Sequence, residues 1–395
     1  MTQHDNESGL DRVAASEPGA APALAEGGGA TDGGKAGERG ARSKGKKLML
    51  VFIGVVLITA GMVALDRSTP DPEKTGTITV HGTGNGDRVG VMPDLSDVQI
   101  SPATLGAAIE KAKGWLGTIV IDPVALQKLD IKGKKKMVEL LDAYVTRWRT
   151  TLDPAERAEY LERIKVVVQP TSTAQYHNMG TVSDREFKQS SLSYLRACYL
   201  MEEVGLDTSM YRAEIAKIRP RLDPHVGQRG VDQRMTFHLY YKAFGMDEPL
   251  DLAAAFKESL IVKRVRPQEL TANDVYQLTH EVFSAYGFGR LSQPLFMSDE
   301  DVAYTRGALD ELVEPVVSSG NPDLAAELVI SLHLTGGRNT SGFITGVKYL
   351  LQSQKSDGSW GNYDQKKKEF GDMVKIIWEL HTTGVALKAL SYAAL

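Results

Sequence analysis

The sequence predicts an all-α protein with one N-terminal transmembrane helix followed by an array of helical hairpins. Three observations carry this expectation. From Ser101 onward apolar residues recur at spacings of three, four and seven, as in Leu192, Leu195 and Tyr199, or Val275, Leu278, Val282 and Tyr286. That is the period of a helix with one buried face, and period-two runs are absent from this half. Four of the runs end in a glycine stop, at Gly205, Gly245, Gly287 and Gly336, which lie 40, 42 and 49 residues apart. Glycine just past a helix adopts the left-handed C-cap conformation at little cost. A period of about 40 to 50 residues with two helices per unit indicates an α-solenoid or a closed α/α toroid. The third observation is the stretch Leu48–Leu65, eighteen residues without a charge. As a helix it spans roughly 27 Å, enough for a bilayer core.

Residues 1–46 read as a disordered cytoplasmic tail, rich in Gly, Ala, Glu and Ser and lacking aromatics. Such a segment cannot bury enough apolar surface to offset its ordering entropy. Residues 47–65 are the membrane helix. Before it stand Lys35, Arg39, Arg42, Lys44, Lys46 and Lys47 against the single acid Glu38, whereas Asp66, Arg67, Asp71, Glu73 and Lys74 after it carry no basic excess. The positive-inside rule then places the N-terminus in the cytoplasm and the C-terminal domain outside. The length of the preceding tail and Met62 at the minus-three position of an Ala64 cleavage favour an uncleaved signal anchor. Residues 66–100, with Pro70, Pro72 and several glycines, read as an extended linker, and Thr77–Val80 as a short strand within it. Residues 101–395 form the helical domain.

Composition narrows the classes. The chain has 395 residues, 42% hydrophobic and 24% charged, with a formal net charge of -4. A mildly acidic balance argues against nucleic acid as a partner. The only cysteine, Cys198, forms no intrachain disulfide and excludes a multi-cysteine zinc cage. Local signals mark individual helices. Asp153-Pro154 is an N-cap followed by proline at the first position, Ser183 to Glu186 is a capping box, and Asp299-Glu300-Asp301 is the acidic first turn of a surface helix. Lys132–Lys136 reads as a solvated helix start with anionic lipid as the alternative contact, and Lys366–Lys368 as an exposed loop.

Between two helical runs lies Gln354-Lys355-Ser356-Asp357-Gly358-Ser359-Trp360. The pattern Gln-x-x-Asp-Gly-Ser-Trp resembles the repeat signature of the terpenoid cyclase and protein prenyltransferase α/α-toroid superfamily. The resemblance is specific over Leu324 to Ala393 and favours closure of the array into a toroid. It implies that Gln354 closes an outer helix, Asp357-Gly358 makes the turn and Trp360 packs the next segment. It also implies that any chemistry sits in the central cavity.

The superfamily's catalytic motifs are absent. There is no Asp-x-Asp-Asp, no Asp-Asp-x-x-Asp and no cysteine placed for a zinc triad, although His381-Thr382 with Leu387 and Leu390 resembles the prenyltransferase zinc-histidine element. No metal site is established from these residues and no cofactor is identified. What remains is a set of histidines. His238 and His280 each stand seven residues before Gly245 and Gly287, and His333 and His381 each stand three before Gly336 and Gly384. If their helices run parallel, such equivalent positions converge on one mouth. His280, His381 and Glu281 are candidate catalytic residues, and His238, His280, His333, His381 and Tyr276 candidate ligand-binding residues. The alternative for each histidine is a local hydrogen bond in the core. Tyr240, Tyr241, Tyr276, Tyr286, Phe283 and Phe288 are core residues or an aromatic pocket. The expected function is a membrane-anchored extracytoplasmic toroid that binds a ligand or partner of the cell envelope, a protein, peptide or lipid. The alternative is an enzyme acting on an envelope lipid, glycan or peptide through a His-lined cavity.

Overall fold

The computed structural model describes residues 90–120, 130–249 and 251–395. The expected membrane span, the tail before it, the strand at Thr77–Val80 and most of the linker lie outside the described residues. No helix among the described residues is long and apolar enough to cross a membrane.

Among the described residues there are fourteen α-helices and no strand: α1 Pro102–Leu116, α2 Asp130–Thr150, α3 Pro154–Val168, α4 Asp184–Glu203, α5 Ser209–Val226, α6 Val231–Ala243, α7 Leu252–Phe256, α8 Leu260–Lys263, α9 Ala272–Ala285, α10 Asp299–Ser318, α11 Pro322–Leu334, α12 Ser341–Ser353, α13 Asp364–Phe370 and α14 Leu380–Ala393. Their starts follow the local chemistry. Asp153 caps α3 with Pro154 at its first position, Ser183 and Glu186 form the capping box of α4, and Asp299–Asp301 is the acidic first turn of α10. Their ends do too: Gly205, Gly245, Gly287 and Gly336 all have positive φ.

Six helices contact one another in sequence. α2 packs on α4, α4 on α6, α6 on α9, α9 on α11, α11 on α14, and α14 returns to α2. Seven more attach to these: α3 to α2, α5 to α4, α7 to α6, α8 to α9, α10 and α12 to α11, and α1 to α14. α11 is buried along almost its whole length, from Pro322 to Leu332, as expected of a helix that is apolar nearly all round.

The Gln354–Trp360 segment ties the two ends of the described chain together. Gln354 Nε2 donates to the carbonyls of Ala108 on α1 (2.8 Å) and Gly358 (3.1 Å). Asp357 Oδ1 accepts from the amide (3.0 Å) and hydroxyl (2.8 Å) of Ser359. Gly358 has φ +95, and a Cβ there would stand 2.2 Å from the Lys111 carbonyl oxygen, so only glycine allows the turn to lie against α1. Trp360 is fully buried. Its Nε1 donates to the Leu350 carbonyl (2.8 Å) and its amide to Thr383 Oγ1 (3.2 Å), which joins α12 to α14.

Two basic runs differ from the sequence reading. Lys134 is buried and its Nζ donates to Tyr176 O and Asn178 Oδ1, both at 3.0 Å, so this position is a packed anchor rather than a solvated one. Lys366–Lys368 belong to the short helix α13 rather than a loop, with Lys366 Nζ 4.3 Å from the centre of the Trp378 ring.

Candidate functional site

The six mutually packed helices share one cavity of about 290 Å³. Each contributes one face, at positions three, four or seven apart: Glu139 and Asp142 from α2, Arg196 from α4, Asp232, Thr236 and Tyr240 from α6, Tyr276, His280 and Phe283 from α9, Glu327 and Ile330 from α11, and His381, Val385 and Lys388 from α14. Phe288 closes the wall from the turn after α9. It is one of two non-glycine described residues with positive φ, and its ring centre lies 4.0 Å from the Arg196 guanidinium carbon.

His280 and His381 both enter this space, each flanked by two carboxylates. His280 Nε2 is 3.5 Å from Glu327 Oε1 and its Nδ1 is 3.9 Å from Asp232 Oδ2. His381 Nδ1 is 3.5 Å from Glu139 Oε1 and its Nε2 is 3.5 Å from Asp323 Oδ1. These are ion-pair separations, longer than an N–H···O hydrogen bond. The carboxylates are fixed from behind. Tyr276 Oη donates to Asp323 Oδ2 (2.8 Å), Thr279 Oγ1 to Glu327 Oε2 (2.5 Å) and Lys136 Nζ to Glu139 Oε2 (2.7 Å).

Burial and pairing compete in setting the charges. Burial alone would discharge His381, but the carboxylates of Asp323 and Glu139 outweigh it and raise its pKa. Burial pushes the Glu139 carboxyl up, yet Lys136, His381 and Lys135 together hold it well below the usual carboxylate range. Glu327 is likewise kept low by His280 against the effect of burial. A second charged group sits further along the same helix faces. Lys388 Nζ contacts Asp142 Oδ2, and Arg196 Nη2 lies 3.1 Å from the same oxygen.

The other sequence candidates are placed elsewhere. His238 stands in a separate small recess, paired through Nδ1 with Glu248. His333 stacks on Tyr392 with ring centres 4.5 Å apart, and burial pulls its pKa down to about 4. The shared offset from glycine is misleading here. Gly336 ends its helix, whereas Gly384 lies inside α14, which continues a π turn at Lys375–Glu379, so His333 is near a C-terminus and His381 is inside a helical run. Glu281, next to His280, faces away from the cavity, as adjacent helical residues do. It accepts from the amides of Leu260 (3.1 Å) and Ile261 (3.3 Å) at the start of α8, and burial pushes its pKa up to about 7. Tyr241 donates to Asp223, and Cys198 is buried with its thiol pushed up to about 12, mainly by burial.

The groups that sequence reasoning missed are the carboxylates Glu139, Asp142, Asp232, Asp323 and Glu327 and the cations Arg196 and Lys388. One signal was available. Asp323 and Glu327 sit four apart in a helix otherwise apolar on every side, where a charge has to be buried and partnered.

Residues 130–386 match the family described as Domain of unknown function (DUF6895). The chain belongs to the DUF6895 family. The span matched to DUF6895 begins with α2 and ends within α14, so of the cavity-lining residues only Lys388 falls outside it. No curated protein and no solved structure matches the chain.

Proposed function

We propose that this protein is a membrane-anchored α/α toroid whose central cavity performs acid–base chemistry on a polar ligand of the cell envelope, such as a glycan or peptide. The observation that carries this reading is the meeting of two imidazoles, His280 and His381, with the carboxylates of Glu139, Asp142, Asp232 and Glu327 in one cavity lined by six helices. The toroid is supported by the contact sequence that returns from α14 to α2 and by the resemblance of the Gln354–Trp360 turn to the superfamily signature.

His280 is the proton-transfer group in this reading. Its side chain is 41% exposed, so a ligand can reach it, while Glu327 is buried behind it. A water or ligand hydroxyl that reaches the exposed imidazole from the cavity gives up a proton to its Nδ1, and Glu327, 3.5 Å from Nε2, stabilises the imidazolium that forms. The expected result is that full-length protein in detergent releases new reducing ends or amino groups from cell-envelope glycan or peptide polymers. His280→Gln should lower that rate by about 100-fold or more, with its thermal midpoint close to wild type. Equal rates in the two proteins would remove His280 from the chemistry.

A second reading, a ligand-binding module without catalysis, is favoured by one observation: the charged groups of the cavity already pair with one another. It requires His280→Gln to weaken binding of those polymers with no product formed by either protein.

The address is part of the proposal. The uncharged span Leu48–Leu65 and its basic N-terminal flank support an orientation with the C-terminal domain outside the cytoplasm. A reporter that is active only in the cytoplasm, fused after Leu395, should be silent. Activity there would reverse the orientation.

A further inference from the structure

We infer that Asp323, Glu327 and His381 form a binding site for a divalent transition-metal ion, with Glu327 and His381 on the wall of the cavity and Asp323 buried beside them. Each residue offers one ligand atom, and these atoms lie within 4.8 Å of one another. Ligands bonded at about 2.0–2.2 Å stand about 3 to 4.4 Å apart around a common ion, so small side-chain rotations complete the site.

An acidic cluster alone would not support this. The second observation is Asp323 Oδ1. It is buried, accepts no hydrogen bond, and faces His381 Nε2 at 3.5 Å. Its one cationic neighbour, a protonated His381, stands at 3.5 Å, beyond hydrogen-bond reach, and a metal ion bound between the two ligands would replace that proton. The groups behind the three ligands are those that metal sites use to aim their donors. Tyr276 Oη holds the other oxygen of Asp323 and Thr279 Oγ1 holds the other oxygen of Glu327, which turns Oδ1 and Oε1 toward the imidazoles. Glu139 faces the distal nitrogen of His381 at 3.5 Å, the carboxylate–histidine arrangement that fixes a ligating imidazole's tautomer.

One imidazole and two carboxylates suit zinc or manganese better than magnesium or calcium, which prefer oxygen alone. Three protein ligands leave at least one position open to water or to a ligand in the cavity. His280, whose Nε2 is 3.5 Å from Glu327 Oε1, stands beside the site and outside the ligand group. The inference therefore extends the acid–base reading without depending on it.

The test uses full-length, tag-free protein in detergent, stripped with a chelator and titrated separately with zinc and manganese, with metal content measured after dialysis. The expected result is about one equivalent of one of these ions, together with a rise in the thermal midpoint. His381→Gln and Asp323→Asn should each abolish both effects. Glu139→Gln, which faces the other nitrogen of His381 from outside the ligand group, should weaken binding by about 10- to 100-fold, and His238→Gln, in its separate recess, should bind as wild type does. If Asp323→Asn does not fold, His381→Gln carries the test, since that side chain is only partly buried. No stoichiometric binding by the wild type, or wild-type binding by His381→Gln, would overturn the site. Either outcome leaves the His280 rate measurement intact, so the two readings fail separately.

Discussion

Trp360→Ala is expected to destabilise the helical domain by about 3–5 kcal/mol, the usual cost of removing a large buried aromatic. At about 2–4 °C per kcal/mol for a domain of this size class, the thermal midpoint should fall by roughly 6–20 °C. The indole is fully buried and its Nε1 is bonded to the Leu350 carbonyl, so the variant opens a cavity and also leaves an acceptor without its donor. The position is at a junction: the same residue's amide meets Thr383 on α14, and the turn before it is bonded to α1. The loss should therefore spread beyond α12, and near-UV circular dichroism should report looser packing across the domain. Trp360→Phe separates the contributions by keeping most of the volume while removing the Nε1 donor, and should cost about 1–3 kcal/mol. An unchanged midpoint for Trp360→Ala would mean that the indole is not the packing centre of this turn.

The turn and the helix ends were legible in the sequence because their chemistry is local. A positive φ asks for glycine, a first turn asks for an N-cap, and Gln354 to Trp360 is a contiguous unit whose partners include its own neighbours. The cavity was only partly legible because its chemistry is not local. His280 and His381 stood out as rare residues, but nothing in sequence joins His381 to Glu139, or Lys388 to Asp142, across more than 240 positions. Those pairs exist because α14 packs back on α2. Asp323 also reads in sequence as an acid favouring a helix N-terminus, so its spacing from Glu327 in an apolar helix hinted at burial while nothing pointed to His381 as its partner. Glu281 shows the opposite error. Adjacency to His280 in the chain suggested partnership, while the helical period turned the two side chains to different sides.

Asp142→Ala should be the most damaging single change in the cavity, at about 3–5 kcal/mol, because it strands the buried Lys388 and leaves the partly buried Arg196 without its carboxylate. Asp142 Oδ2 meets both Lys388 and Arg196, and the side chains of Asp142 and Lys388 are 9% and 8% exposed. Burial pushes the Asp142 carboxyl up, but the attraction of Arg196 and Lys388 outweighs it and holds the group far below its ordinary range. Burial also lowers the Lys388 pKa, with Asp142 opposing that shift. The pH dependence follows from these directions. A carboxyl whose pKa is depressed by folding contributes stability that is present above its unfolded value, near 3.8, and is lost as pH falls toward the folded value. The wild type should thus lose stability steeply below about pH 4, and Asp142→Asn should show a shallower fall. The slope will not vanish, because Glu139 is also held well below its ordinary range and titrates in the same direction. Lys388→Met provides the counterpart. It leaves Asp142 paired with Arg196 and replaces a buried ammonium with an apolar chain of similar length, so it should cost far less than Asp142→Ala. Urea denaturation of the three variants and the wild type at pH 7 and pH 3 measures all of this. If Asp142→Ala and Lys388→Met are equally tolerated at pH 7, water rather than the ion pair must satisfy these groups, and the cavity is wetter and less constrained at this end than the distances require.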